Sequence, residues 1–190
     1  MALLPGQQSP SLPQSLIENC RFCADRLVLI ERLPRGGEIA EIGCLRGEFS
    51  RDILRIASPH RLHLFDIDFA PLADDVRQDA RVSLHEGASP ASLAVIPDGT
   101  LDWAYIDADH SYAAVVRDAA AAARKVKPGG YLVFNDFAHV DPFMGRYGVH
   151  RAVVEFAVQH RWDIVFFAYE TNAVYDIALQ RPAGNGELAW

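Results

Sequence analysis

Asp107-Ala108-Asp109-His110 places two carboxylates and an imidazole within four residues, directly after the apolar run Leu101 to Ile106. An imidazole, with an ordinary pKa of about 6.5, takes up and releases protons near neutrality, which makes His110 a candidate base. Carboxylates at this spacing hold a cation, orient the imidazole or cap the next helix. Asp107 is open to the first and last of these roles, Asp109 to contacts with a ligand or the loop backbone, and His110 also to a structural hydrogen bond fixing the loop. Ser111 and the alanine-rich stretch behind it read as a helix start, so the cluster falls in a strand-to-helix loop. In an open parallel sheet, ligands gather at the carboxyl ends of the strands, where such loops lie.

A second chemical segment is Glu41-Ile42-Gly43-Cys44-Leu45-Arg46-Gly47-Glu48. A dinucleotide fingerprint starting at Gly43 needs glycine at 45 and 48, where Leu45 and Glu48 stand. Glu48 would set a negative charge where a pyrophosphate should lie, which disfavours NAD and an oxidoreductase. Glu41 suits a ligand with a cationic tail, an ammonium or a sulfonium; a tight turn with a solvated glutamate is the plainer alternative. Asp66, at the end of the next apolar run, lies at the distance from Glu41 at which an acidic residue captures ribose hydroxyls, or else it caps a helix. His85-Glu86-Gly87-Ala88-Ser89 ends a third run, with small residues at Ala88 and Ser89 that leave space for an adenine ring.

The elements that must position these residues alternate. Extended runs are expected at 38–42, 61–66, 81–85, 101–106 and 130–135, with helical patterns at 48–57, 71–80, 89–95 and 111–126 between them. Strands separated by such helices imply βαβ crossovers and a parallel sheet covered on both faces. After a helical stretch at 149–160, two strand-like runs at 162–169 and 173–180 are joined by Glu170-Thr171-Asn172, which permits only an antiparallel pair. The fold class is α/β: a doubly wound, Rossmann-like sheet of seven strands, five parallel plus a C-terminal antiparallel hairpin. Residues 1–34 read as an arm and a cover helix over Pro13 to Arg32, and 35–190 as a single domain. The 137–148 stretch, with His139, Asp141, Phe143, Met144, Arg146 and Tyr147, has the composition of a substrate lid, with His139 as a second candidate base.

The net charge of -7 argues against a surface built for a nucleic-acid backbone and favours small-molecule or protein partners. Cys20 and Cys23 have CxxC spacing, but no second such pair completes a zinc site, and both sit on the apolar stripe of the expected cover helix. No apolar run reaches membrane-spanning length and no signal-peptide pattern opens the chain, so a cytoplasmic location is expected, without a membrane partner. Pro13 to Arg32 and the terminal hairpin are the surfaces on which a homodimer is to be sought.

Taken together, Glu41-Ile42-Gly43-x-x-x-Gly47, Asp66, Glu86-Gly87-Ala88, Ile106-Asp107-Ala108-Asp109-His110-Ser111-Tyr112 and Lys127-Pro128-Gly129-Gly130 resemble class I S-adenosylmethionine-dependent methyltransferases. The likeness is greatest to a small-molecule O-methyltransferase-like branch with an IDxDHSY motif. The resemblance implies S-adenosylmethionine as cofactor, a hydroxylated small molecule as methyl acceptor and a reversed last strand. It places Glu41, Gly43 and Gly47 at the methionine end, Asp66 at the ribose, and Ala88 and Ser89 beside the adenine, with Asp107 and Asp109 also at the cofactor. It further implies a divalent-metal option, Mg²⁺, on Asp107, Asn135 and Asp136, with His110 as base. The last pair reads Asp-Asn in many metal-dependent members and Asn-Asp here, and His110 stands where catechol-type relatives carry lysine. A metal-free methyltransferase of other acceptor specificity and a cofactor-binding protein without catalysis are the rival readings.

Overall fold

The computed structural model describes residues 8–141, 145–171 and 174–184. Its centre is β2 (Glu38–Ile42), buried on both faces except at its first residue, flanked by β3 (Arg61–Asp66) on one side and β5 (Leu101–Ile106) on the other, both parallel to it. Continuous apolar runs of this kind belong to strands covered on both faces. β4 (Val82–Glu86) extends the sheet beyond β3, and β6 (Val126–Phe134) lies beyond β5, all in parallel. α2 (Glu48–Ile56), α3 (Asp74–Arg77), α4 (Ser89–Ser92) and α5 (Tyr112–Lys125) fill the crossovers. α5 begins where Ser111 Oγ accepts from the Ala114 N–H, as expected for a serine cap.

After α6 (Val149–His160), β9 (Asp163–Ala168) and β10 (Asp176–Gln180) form the expected antiparallel pair, and β10 inserts between β6 and β9, antiparallel to both. Asn172, part of the expected connection, lies outside the described residues, as do Phe143 and Met144 of the expected lid. That lid segment carries a two-stranded ribbon, β7 (Val140–Asp141) with β8 (Gly145–Arg146).

The sheet has eight strands where seven are expected from the sequence, in the order β1-β9-β10-β6-β5-β2-β3-β4. The extra one, β1 (Arg21–Cys23), pairs in parallel with β9, and the chain turns from it into the short α1 (Arg26–Glu31). The single cover helix over Pro13 to Arg32 is therefore replaced by a 3₁₀ turn at Gln14–Leu16, a strand and one short helix. The physical reason is twofold: β9 presents an unpaired backbone edge, which β1 satisfies, and Asp25 accepts from Val28 N at 2.8 Å, starting a helix anew in the middle of the expected one. Cys23 is buried on the strand, Cys20 half-buried before it, and both thiols are free. Two apolar clusters cover the sheet. α5 and α6 pack on one face through Val115, Ala119, Val153 and Phe156; α1, α2 and α3 pack on the other through Leu29, Ile30, Ile53 and Val76.

Candidate functional site

A cavity of about 760 Å³ opens at the carboxyl ends of β2, β3, β4 and β5, at the point where the strand order reverses between β2 and β5. Glu41, Gly43, Asp66, Ala88, Ser89, Asp107 and Asp109 all line it, so residues spread over nearly seventy positions meet there. Gly47 does not. It is the left-handed residue before α2, at φ 77°, and a Cβ there would press on Leu72 and Val76 of the neighbouring segment.

Gly43 has two reasons to be glycine. Its φ is 83°, and a Cβ would run into the Asp107 carbonyl, so the loops after β2 and β5 touch at this point. Backbone bonds hold the contact: Asp107 N donates to Ile42 O and Gly43 N to Phe65 O, each at 2.8 Å. Asp66 Oδ2 accepts from Cys44 N at 2.9 Å and Leu45 N at 3.0 Å. Burial alone would raise its pKa, but these backbone donors outweigh it and hold the carboxyl below its ordinary range. Its other oxygen accepts from Asp68 N over a long 3.4 Å, which leaves a lone pair for a ligand hydroxyl.

Glu41 is 2% exposed, and its Oε2 accepts from Ser50 Oγ at 2.5 Å. Burial pushes its pKa up to about 8; the Ser50 hydroxyl works against this, and Asp107 and Asp66 add to it. The wall is strongly acidic, with Glu48, Asp109 and Asp118 joining these three against Arg26 and Arg117. Such a wall favours a cationic ligand and disfavours a diphosphate.

Beyond Asp107 the site continues to His110, Asn135 and Asp136, which do not line the cavity itself. His110 Nε2 stands 3.4 Å from Asp107 Oδ1 and 3.7 Å from Asp136 Oδ2, as an ion-pair contact rather than an aligned hydrogen bond, and it is buried with no hydrogen-bond partner among the described residues. Burial works against its positive charge, but Asp107 and Asp136 prevail and raise its pKa. The ring stacks on Tyr147, centroids 4.6 Å apart, and His139 meets the other end of that stack at 4.9 Å from Tyr147. Asp136 sits at φ 55°, and burial, with Asp107 nearby, raises its carboxyl. The Asn135 amide nitrogen donates to Asp176 Oδ1 at 3.0 Å, and the same side chain adds to the rise of the His110 pKa.

These donors do not fit the expected Mg²⁺ site as they are arranged. The place between the Asp107 and Asp136 carboxylates is taken by the His110 ring edge. Among the described residues no group of three or more His, Cys, Asp or Glu side chains is arranged to hold a metal ion.

Several cavity residues escaped the sequence. Arg26 enters from the start of α1, its guanidinium 5.6 Å from the Phe49 ring centroid, 3.2 Å from Glu170 and 3.8 Å from Asp176. No local pattern marks it, because its position depends on β1 joining a strand some 140 residues away. Asp118 lies one helical turn after Ala114, which also lines the cavity; that i, i+4 relation, once α5 is recognised, is the signal that would have found it.

Comparison with known proteins agrees with this geometry. A family model described as a methyltransferase domain matches residues 40–137. No curated protein matches the chain in sequence. Among solved structures, an S-adenosylmethionine-dependent methyltransferase from Methanosarcina mazei aligns over 83% of this chain and 98% of its own, at 15% identity and a TM-score of 0.62. A candidate O-methyltransferase from Klebsiella pneumoniae aligns over 83% and 79%, at 22% identity and 0.63. A tRNA methyltransferase from B. subtilis aligns over 84% and 66%, at 16% identity and 0.59. At these identities the structures share the fold.

Proposed function

The chain belongs to the methyltransferase-domain family, and from that premise we propose that it transfers the methyl group of S-adenosylmethionine to an oxygen of a small-molecule acceptor, with His110 as base and without a divalent metal. When bound, S-adenosylmethionine supplies an electrophilic methyl on a cationic sulfur. The cavity suits it: the volume is that of a small-molecule site, the Glu41 side is acidic, Asp66 holds a carboxylate oxygen with a lone pair for a ribose hydroxyl, and nothing lies within 4 Å of where a Gly87 Cβ would be.

The observation that carries the reading is the place of His110, whose Nε2 stands 3.4 Å from Asp107 and 3.7 Å from Asp136 beside the strand end that lines the cavity. Two carboxylates beside a buried imidazole favour its protonated form and so its uptake of a proton. In this assignment the acceptor hydroxyl would give its proton to the His110 ring while its oxygen takes the methyl and the sulfur keeps the bonding pair as a neutral thioether, and Asp107 and Asp136 would stabilise the resulting imidazolium. Tyr147 holds the ring in plane by stacking. Gly148 N donates to His110 O at 2.8 Å, tying the 137–148 segment, the proposed lid, to the base. Asp107 then serves both the cavity and the base, which is why a single strand end carries so much of the chemistry.

The test is methyl transfer from labelled S-adenosylmethionine to a panel of hydroxylated metabolites, with Mg²⁺ and with chelator. Transfer to oxygen that chelation leaves unchanged supports the reading. Binding of NAD in preference to S-adenosylmethionine and its demethylated product would overturn it, and a rate restored only by Mg²⁺ would overturn its metal-free part.

A further inference from the structure

A belt of aromatic rings runs outward along the α6 face of the sheet, from the His110 side toward the edge strand β1. It starts at Phe137, the residue after Asp136, whose carboxylate is 3.7 Å from His110 Nε2. The Phe137 ring lies 4.8 Å from that of His150 in the first turn of α6. Phe167 follows at 6.2 Å and Phe22 at a further 5.9 Å, with Tyr175 5.2 Å and Tyr169 5.6 Å from Phe167. The sheet builds this alignment: Phe22 and Phe167 are register partners in β1 and β9, so their side chains leave the same face, while Phe166 turns to the other. The inner rings, Phe137 and Phe167, pack partly against the core, whereas the outer end is open, Phe22 being 65% and Tyr169 51% exposed. Two large rings left in water at the end of a continuous row are apolar surface still to be covered.

We propose that the methyl acceptor is a phenol with an uncharged apolar extension, its ring beside Phe137 and its extension lying along Phe167 to Phe22 and Tyr169. The inference rests on the methyltransferase reading, since it takes His110 as the place where the hydroxyl reacts. Continuity favours this occupant, because the belt begins one residue from a carboxylate that faces the base. Size favours it too. An aromatic side chain presents about 150–250 Å² when wholly bare, so two half-exposed rings offer on the order of 200 Å², the footprint of a ligand tail and far short of the ~800 Å² per partner of a stable protein interface. The extension is uncharged because the nearest ions serve each other: Glu170, next to Tyr169 in the chain, accepts from Arg26 Nε at 3.2 Å and from its backbone N at 2.6 Å. A CH₂ taken wholly out of water strengthens binding about 4-fold; one lying on an open belt is covered on one side, for roughly 2-fold.

The experiment is calorimetric titration of the intact protein, saturated with S-adenosylhomocysteine, with para-cresol, para-propylphenol and para-hexylphenol. The wild type is expected to bind the hexyl compound on the order of 30-fold more tightly than the cresol. Phe22→Ser and Tyr169→Ser, both at exposed side chains, are expected to bring the two within a few-fold of each other and to leave the cresol affinity unchanged. Val95→Ser, at a side chain 62% exposed between β4 and β5, is expected to keep the full ratio. Tyr169 lies just past the end of β9, so its variant decides the matter if Phe22→Ser does not fold. Absence of phenol binding, equal affinities in the wild type, or a ratio that survives both variants would overturn the role of the belt and leave the cofactor reading standing. A wild-type dimer that Tyr169→Ser dissociates in sedimentation would assign the belt to a second copy of the chain and overturn it likewise. Failure to bind S-adenosylhomocysteine would overturn the methyltransferase reading as well.

Discussion

The carboxyl of Glu41 and the hydroxyl of Ser50 meet at 2.5 Å across the boundary between β2 and α2, sealed from solvent on the sheet side and open to the cavity on the other. Glu41 is thus a buried acid whose donor is the neutral Ser50 hydroxyl, and burial pushes its pKa up to about 8. A cation entering the cavity favours its ionised form, so the site binds positive charge partly by releasing a proton.

The consequence for stability has a definite sign. Glu41 releases its proton at about 4.5 when unfolded and at about 8 when folded. Between these values the folded state holds the proton more tightly, so its contribution is full below about pH 4.5 and is lost as pH rises through 8. Wild type is expected to lose melting temperature between pH 5 and 8.5 relative to Glu41→Gln, which cannot titrate. Parallel pH curves for the two proteins would refute this.

Ligand binding should follow the same linkage. Affinity for cationic S-adenosylmethionine is expected to rise between pH 6 and 8 more steeply than affinity for S-adenosylhomocysteine, whose sulfur is neutral. Isothermal titration in buffers of different ionisation enthalpy would read the released proton directly, and its absence in both ligands would remove Glu41 from the binding step.

Two glycines with the same backbone sign should respond differently to alanine. At Gly129, φ 78° with open space around it, substitution costs only the left-handed conformation, roughly 1–2 kcal/mol. At Gly43 the new methyl also collides with the Asp107 carbonyl and Ala108 backbone. Gly43→Ala is expected to lower the melting temperature clearly more than Gly129→Ala and to abolish cofactor binding, measured by differential scanning calorimetry and titration.

How much of this was legible in the sequence depends on whether the cause was local. α6 occupies 149–160 as its periodicity says, and Ser111 caps α5, because apolar spacing and a hydroxyl before an alanine run act within a few residues. The cavity residues Glu41, Asp66, Ala88 and Asp107 were readable because each ends a strand, and strand ends in a parallel sheet converge. β1 was not readable: Arg21 to Cys23 form a strand only because β9 offers an edge, and Leu27 and Ile30 fit a longer helical stripe equally well. Gly47 carries a motif position yet does not line the cavity, since a pattern of types does not record that a left-handed glycine serves the turn into α2.

The buried network around Asp176 offers an independent test of the strand arrangement. Tyr105 Oη donates to Asp176 Oδ2 at 2.5 Å, and burial pushes that carboxyl up to about 7 against the pull of Arg26, Tyr105 and Asn135. Tyr105→Phe removes a donor from a buried carboxyl and is expected to cost about 1–3 kcal/mol in chemical denaturation. No loss would show that β5 and β10 are not joined through this bond.

The sharpest division lies at His110. If its ring edge replaces a cation between Asp107 and Asp136, then His110→Ala removes the base and leaves the cofactor cavity, which it does not line, intact. The expected result is a fall in kcat of about 10²- to 10⁴-fold with S-adenosylhomocysteine affinity unchanged. Asp136→Asn should weaken catalysis less, because Asp107 remains within 3.4 Å of the ring. Asp107→Asn should affect both turnover and cofactor affinity, because that carboxylate faces the base and the cavity together. Mg²⁺ and chelator should leave all four proteins unchanged. A wild-type rate that collapses with chelator, or an Asp136→Asn loss as deep as that of His110→Ala and relieved by added metal, would return the pair of carboxylates to the role of ligands and reduce His110 to a structural ring.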